Sequence, residues 1–281
     1  MNVKFWGTRG SIPVPGRDTV VYGGNTTSLE VTLDNGRKII IDAGTGIRAL
    51  GESLIAHGER VDVVLLMTHI HWDHVLGFPF FEPLYEAGSR IAIDGCRFCV
   101  RGLRVPFDNN MVDGFFPVKF HDLAAEIRYL ERLKYGPLKF DEVRVDTIPL
   151  QHPQGGLGYR FRERKKTLVF LTDNELTENS WEGRRPDDYR VFCKGADVLI
   201  HDAQYTPRER EKRKGWGHSD YVSAVRLALR SGVRRLILFH HDPARRDDEM
   251  EPIRDHCREL AREAKANLEI EIAMEGNEFV L

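Results

Sequence analysis

Thr68-His69-Ile70-His71-Trp72-Asp73-His74 is the densest run of chemistry-bearing residues in the chain. It follows Val61–Met67, which reads as a strand. At an extended strand end side chains alternate, so His69 and His71 point to the same side. The chain then turns and brings Asp73 and His74 in near a helix start. Neutral imidazoles and carboxylates in this order suit zinc and similar divalent ions. Solvated histidines at a strand end have no reason to fall into an HxHxDH pattern. A two-metal site needs further ligands, and the chain offers them at other strand ends: His152 after Val143–Leu150, Asp173 after Thr167–Thr172, and His240 after Leu236–Phe239. Each alone is a weak signal, because a lone histidine at a strand end is usually capped or solvated. With HxHxDH they form a set, and ligand-type residues ending several apolar strands are how a site forms along one edge of a sheet.

The elements that must position them are legible as β-branched runs bounded by turn residues. Beyond those named, Val3–Thr8, Ser28–Leu33, Lys38–Asp42, Arg90–Asp94, Gly158–Phe161, Asp197–His201 and Leu268–Ala273 read as strands. Helical periodicity marks Asp220–Ser231, Asp248–Ala266 and Thr45–His57. Strands first, then helices falling between strands, predict sheets covered by helices in one domain over residues 1–281. Gly95–Phe120 is irregular and rich in Asn, Asp, Gly and Pro. Long loops in compact domains are often lids, and Phe107, Phe115 and Phe116 are too apolar to idle in water.

Composition bounds the function classes. The chain has 281 residues, 41 basic and 43 acidic side chains, a formal net charge of −2, and 41% hydrophobic residues. That is ordinary for a globular protein and excludes a disordered or collagen-like chain. A charge near zero argues against bulk nucleic-acid binding. No apolar run approaches a membrane span, and MNVKFWGTRG lacks the apolar core of a signal peptide, so a cytoplasmic protein is expected. Cys96 and Cys99 form a CxxC with no second CxxC to complete a zinc ribbon; the four cysteines read as ordinary reduced thiols.

With these residues in view, the chain resembles the metallo-β-lactamase superfamily, and within it the phosphodiesterase branch that holds ribonuclease Z and the PhnP-type cyclic phosphodiesterases. The resemblance spans nearly the whole chain. Gly7-Thr8-Arg9-Gly10 and Gly23-Gly24-Asn25-Thr26-Thr27-Ser28 resemble that branch's opening segment. Asp42 in Ile41-Asp42-Ala43-Gly44-Thr45-Gly46 resembles the first motif, HxHxDH the second, and His152, Asp173 and His240 the third to fifth. His201-Asp202-Ala203-Gln204-Tyr205 resembles the HEAT-type segment of ribonuclease Z, and Gly217-His218-Ser219 its HST loop. The resemblance implies an α/β fold, a four-layer αββα sandwich of two mixed β-sheets flanked by helices. It implies two divalent metal ions, Zn²⁺ foremost, with Mn²⁺ or Fe²⁺ as alternatives. It assigns His69, His71 and His152 to one metal, Asp73, His74 and His240 to the other, and Asp173 as the bridge. His240 is preferred to the adjacent His241 because it matches the family's strand-end Thr-His, with Phe239 in place of the Thr.

Two metals roughly 3.5–4 Å apart can share a hydroxide and lower the pKa of water from about 15.7 toward about 7. No Ser or Cys nucleophile is then needed, and no Gly-x-Ser-x-Gly elbow is present. Asp73 is accordingly expected to be catalytic as well as a ligand. His218 is the expected proton donor to the leaving group, since imidazole titrates near working pH; Ser219 or Asp220 beside it could simply cap the next helix. Asp42 is expected behind the metals, and His201 behind them or against the substrate. Phe115 and Phe116 are expected to touch the substrate's non-phosphate part. Arg208–Lys214 is a basic run that either steers phosphate or forms a solvated helix face.

The expected activity is hydrolysis of a phosphodiester, in a small cyclic nucleotide or cyclic phosphate. Alternatives are hydrolysis of a lactone, lactam or thioester, an RNA-processing nuclease, or a binding module. Asp173, where lactam-cleaving relatives often use a cysteine set, favours the first. Ribonuclease Z carries a projecting arm between the third and fourth motifs. His152 and Asp173 lie too close in sequence for such an arm, which makes transfer RNA an unexpected substrate. A homodimer is compatible with the resemblance, and no membrane partner is expected.

Overall fold

A computed structural model describes residues 1–56, 58, 60–95, 116–130, 132–133, 136–140, 142–177 and 184–281. The first half builds β1 (Asn2–Gly7), β2 (Ser28–Thr32), β3 (Lys38–Ile41), α1 (Ile47–Ile55), β4 (Asp62–Met67), the short α2 (Trp72–Val75), β5 (Arg90–Gly95) and β6 (Glu126–Tyr129). The second builds β7 (Leu138–Phe140), β8 (Val143–Pro149), β9 (Leu157–Glu163), β10 (Lys166–Leu171), α3 (Pro186–Phe192), β11 (Val198–Asp202), α4 (Pro207–Glu211), α5 (Tyr221–Ser231), β12 (Arg235–Phe239), α6 (Asp247–Glu263), β13 (Glu269–Ile272) and β14 (Glu278–Val280).

Among the described residues these strands form two seven-stranded sheets, ordered β14-β1-β2-β3-β4-β5-β6 and β13-β12-β11-β10-β9-β8-β7. Both are mixed. β3 to β6 run parallel and β1, β2 and β14 antiparallel; β10 to β13 run parallel and β7 to β9 antiparallel. The period-two alternation of each strand decides the layers. Val64 and Leu66 of β4 join Phe170, Ile200 and Phe239 in a core between the sheets. Val63, Leu65 and Met67, the alternate residues of the same strand, pack outward on Ile47 and Leu50 of α1. On the second sheet Val169, Leu199 and Leu236 face outward onto Val225 of α5 and Met250 of α6. Strands buried on both faces need near-continuous apolar runs, as Val63–Met67, Leu168–Leu171, Val198–Ile200 and Leu236–Phe239 provide. The result is the helix–sheet–sheet–helix sandwich that the resemblance implied.

β6, β7 and β14 were not legible as strands. All three are sheet edges, short and partly polar, so their sequences lack the apolar run that marks a central strand. The interval between His152 and Asp173 is filled by the β9–β10 hairpin. α5 starts on Asp220, whose carboxylate accepts the Ser223 N–H at 2.9 Å, and stops on Gly232 at φ 64°. Cys96, Cys99, Phe107 and Phe115, and with them nearly all of the expected lid, lie outside the described residues. No described helix is long and apolar enough to cross a membrane.

Candidate metal centre

Parallel register brings the site together. Ile41 of β3 pairs with Leu66 of β4, so Asp42 and the Thr68–His69 turn leave the first sheet at the same edge. Leu171 of β10 pairs with His201 of β11, and Asp202 with Phe239 of β12, so Asp173, Asp202 and His240 leave the second sheet together. β8 runs in the same direction as β10 and delivers His152 there too. Asp42, Asp173 and His240 leave their strands at φ 61°, 50° and 60°. Left-handed backbone is costly for a side-chain-bearing residue and concentrates where a site requires it.

Two sets of nitrogens and oxygens converge. In the first, His71 Nδ1 lies 3.0 Å from His152 Nε2, and His69 completes the group. In the second, Asp73 Oδ2 lies 3.1 Å from His240 Nε2 and 3.3 Å from His74 Nε2. Asp173 stands between them. Its Oδ1 is 3.2 Å from both His74 Nε2 and His240 Nε2, while its Oδ2 is 3.6 Å from His69 Nε2 and 3.7 Å from His152 Nε2. All seven residues singled out from the sequence are thus in one cluster. His241 is not part of it: its Nε2 donates to the Ala273 carbonyl at 2.8 Å.

Each ring is aimed by a partner on its far nitrogen. His74 Nδ1 donates to Asp42 Oδ2 at 2.8 Å, and Asp42 also accepts the N–H and hydroxyl of Thr68, each at 2.7 Å. His69 Nδ1 meets the Thr68 hydroxyl at 3.0 Å, His71 Nε2 donates to Gln154 Oε1 at 3.0 Å, and His240 Nδ1 to Gln204 Oε1 at 3.0 Å. His152 Nδ1 donates to the Gly217 carbonyl at 3.1 Å. Such outer partners fix the tautomer and orient a metal-binding imidazole.

The donor set fits divalent cations. His69 Nε2 and His74 Nε2 are buried and lack a hydrogen-bond partner among the described residues. Leaving such atoms unpaired is costly. Burial and the neighbouring His74 push His69 far down from the usual imidazole range, and burial brings His152 down to about 4, so both are neutral donors. Burial works against charge on His74, yet Asp73, Asp173 and Asp42 raise it well above its ordinary value. The carboxylates therefore demand positive charge at this point, which a cation supplies.

His218 sits beside the cluster, its ring stacked 5.0 Å from that of His240 and edge-on to that of His152 at 5.1 Å. Its Nδ1 donates to Asp202 Oδ2 at 2.8 Å. Burial opposes its charge, but Asp202, with Asp173 and Asp73 behind it, outweighs burial and the ring is pushed up to about 9. The loop that carries it is clamped by Glu175, whose carboxylate accepts the N–H groups of Gly215 and Gly217 at 2.9 and 3.0 Å. Asp220 caps the following helix, so capping and the His218 geometry coexist.

His201 is fully buried, with Nδ1 on its neighbour's carbonyl at 2.6 Å and Nε2 by Asn174 at 3.3 Å. Alternation along β11 turns the next residue, Asp202, toward His218. Phe116 packs half-buried on the outer side of the first sheet, edge-on to Phe80 at 5.5 Å. Two of the five cations of the basic run are in ion pairs, Arg210 with Asp220 at 3.6 Å and Lys214 with Glu211 at 2.7 Å. Sequence reasoning missed Ser11, whose N–H donates to Asp73 Oδ2 at 2.7 Å, along with Gln204 and Asp202. Gln204 and Asp202 lie within the HEAT-like segment, which was the available signal.

Comparison with known proteins gives the family and the fold. A family model described as beta-lactamase superfamily domain matches residues 37–241, well over half of the chain. Ribonuclease Z of Pyrococcus horikoshii is 26% identical, covering 86% of this chain and 87% of that protein. Ribonuclease Z of Haloarcula marismortui is 25% identical, covering 85% and 86%. Among solved structures, the metallo-beta-lactamase fold protein YhfI from Bacillus subtilis superposes with TM-score 0.70 at 15% identity, covering 99% of this chain and 98% of that one. A diphosphatase from the PhnP family gives TM-score 0.67 at 18% identity, covering 100% and 97%. These structural likenesses establish the fold.

Proposed function

The chain belongs to the β-lactamase superfamily, and we propose that within it this protein is a dinuclear metal-dependent phosphodiesterase acting on a small cyclic nucleotide or cyclic phosphate. The reading is carried by Asp173, which turns one carboxylate oxygen to His74 and His240 and the other to His69 and His152. That is the arrangement a bridging ligand requires. His69, His71 and His152 would hold one cation, Asp73, His74 and His240 the second. When bound, such a pair lowers the pKa of water and offsets charge developing on a phosphoryl oxygen.

The chain's own groups do the rest. Asp73, hydrogen-bonded by Ser11 N–H, stays ionised at the second position; burial opposes its charge, but His74 and the His240 hydrogen bond hold it well below the usual carboxylate range. Asp42 keeps His74 oriented with Nε2 inward. His218, with Nδ1 committed to Asp202, has Nε2 left to protonate the departing alkoxide. The β9–β10 hairpin fills the interval where ribonuclease Z carries its arm, which supports a small substrate over transfer RNA. The ribonuclease Z relatives align along most of the chain and keep RNA cleavage as the second reading.

The test is turnover of bis-p-nitrophenyl phosphate against a chromogenic lactam, a cyclic nucleotide and a precursor transfer RNA, with added Zn²⁺ or Mn²⁺. Metal-dependent hydrolysis of the diester and the cyclic nucleotide alone is the expected result. Lactam turnover without diester turnover overturns the bond class, and cleavage of the transfer RNA alone overturns the substrate.

A further inference from the structure

Two tryptophans flank the cluster and neither is used by it. Trp72 lies between His71 and Asp73 in α2, and Trp216 lies next to Gly217 and two residues before His218. Trp72 is 74% exposed and Trp216 60%, among the most exposed large apolar side chains described, although their neighbours Asp73, His74, Gly217 and His218 are buried. Their relation to each other is fixed by short links. Trp72 adjoins His71, His71 Nδ1 is 3.0 Å from His152 Nε2, His152 Nδ1 donates to the Gly217 carbonyl, and Gly217 adjoins Trp216. The backbones that carry both indoles therefore lie beside the His71–His152 side of the centre. The backbone holding them is anchored by buried groups. α2 is tied down by two buried ligands, and the Trp216 loop by Glu175 on either side, at Gly215 and Gly217.

Exposing two indoles in water is unfavourable. Flat rings beside a phosphate-handling centre match how single nucleotides are held, the phosphate by charge and the base by stacking on an aromatic face. We propose that Trp72 and Trp216 are specificity-determining residues that stack a flat ring carried by the phosphodiester, so that the substrates are nucleobase- or aryl-bearing esters and not alkyl ones. This rests on the phosphodiesterase reading for its turnover but not for its binding.

The experiment has two arms. In the first, KM is measured for a 2′,3′-cyclic nucleotide, for bis-p-nitrophenyl phosphate and for glycerol cyclic phosphate, in the native protein and in Trp72→Ala, Trp216→Ala and the double variant. The ratio of KM for the ring-bearing ester to KM for the alkyl ester should rise roughly ten-fold, with Trp→Phe at the same positions restoring most of it. A rise for the nucleotide alone identifies a base; a rise for both ring-bearing esters identifies any flat ring. In the second, tryptophan fluorescence is titrated with a nucleoside 5′-monophosphate, phenyl phosphate and glycerol phosphate. Ring-bearing phosphates should quench, and the double variant should lose that quenching. This arm reads out even if no phosphodiester is turned over, so the two readings fail separately. An unchanged KM ratio with equal quenching by glycerol phosphate overturns the proposal. So does a shift in oligomeric state of the double variant with KM unchanged, which would make the indoles a protein contact.

Discussion

Gly217 and His152 are locked against each other: the Gly217 carbonyl accepts from His152 Nδ1 at 3.1 Å, and a Cβ on Gly217 would lie 2.0 Å from that same nitrogen. Gly217 also adopts φ 90°, which favours glycine. Gly217→Ala should therefore tilt the His152 ring. Metal titration followed by calorimetry should find one of two cations weakened, with activity reduced by at least ten-fold. Unchanged affinity for both would mean that His152 is not held through this contact.

Asp173→Ala should remove both cations, because each carboxylate oxygen faces a different set of histidines. His71→Ala should weaken only one. Elemental analysis after reconstitution separates the cases. Equal stoichiometry in native protein and Asp173→Ala would dismiss the bridge.

Asp42 touches no cation in this reading but accepts three hydrogen bonds in full burial, from His74 and twice from Thr68. Asp42→Ala should lower metal affinity roughly 10–100-fold, the usual cost of losing a group that orients a ligand. It should also lower the melting temperature without metal, since the Thr68 N–H and hydroxyl lose their acceptor. Competition with a chelator and a thermal melt of the metal-free protein report the two effects independently.

His218→Ala should retain metal and should lose activity according to the leaving group. General acid catalysis is worth ~10²–10⁴-fold, and a poor alkoxide leaving group needs it where p-nitrophenolate does not. The cyclic nucleotide should therefore suffer far more than bis-p-nitrophenyl phosphate. Asp202→Asn should follow the same pattern more weakly. A uniform loss on both substrates would make His218 a phosphate-binding group instead.

Phe170 packs between the sheets with its ring 5.4 Å from that of Phe239, the residue before His240. Phe170→Ala should cost about 3–5 kcal/mol of stability, read by urea denaturation. A cost under 1 kcal/mol would mean that the inter-sheet core collapses around the cavity.

The sequence by itself determined the cluster's membership and the layering. HxHxDH is local, and period-two alternation puts His69 and His71 on one side whatever the rest of the chain does. The central strands β4, β10 and β12 are apolar at every buried position, and β11 is so up to His201 and Asp202 at its site end, so both their existence and their burial on two faces follow from composition. His152, Asp173 and His240 were found by their common place at a strand end.

Only the tertiary structure decided what depends on segments that are far apart in the chain. Ser11 reaches Asp73, Gln204 reaches His240, Glu175 reaches Gly217, and Asp202 rather than His201 turns to His218. The HEAT-like segment pointed to Gln204 and Asp202 but not to their partners, since each pairing exists only once strands far apart in the chain are in register within a sheet. A one-residue change of register on β11 would exchange His201 and Asp202. The edge strands β6, β7 and β14 were hidden for the related reason that a strand with one neighbour needs no continuous apolar run, and its partner's register, not its own composition, makes it a strand.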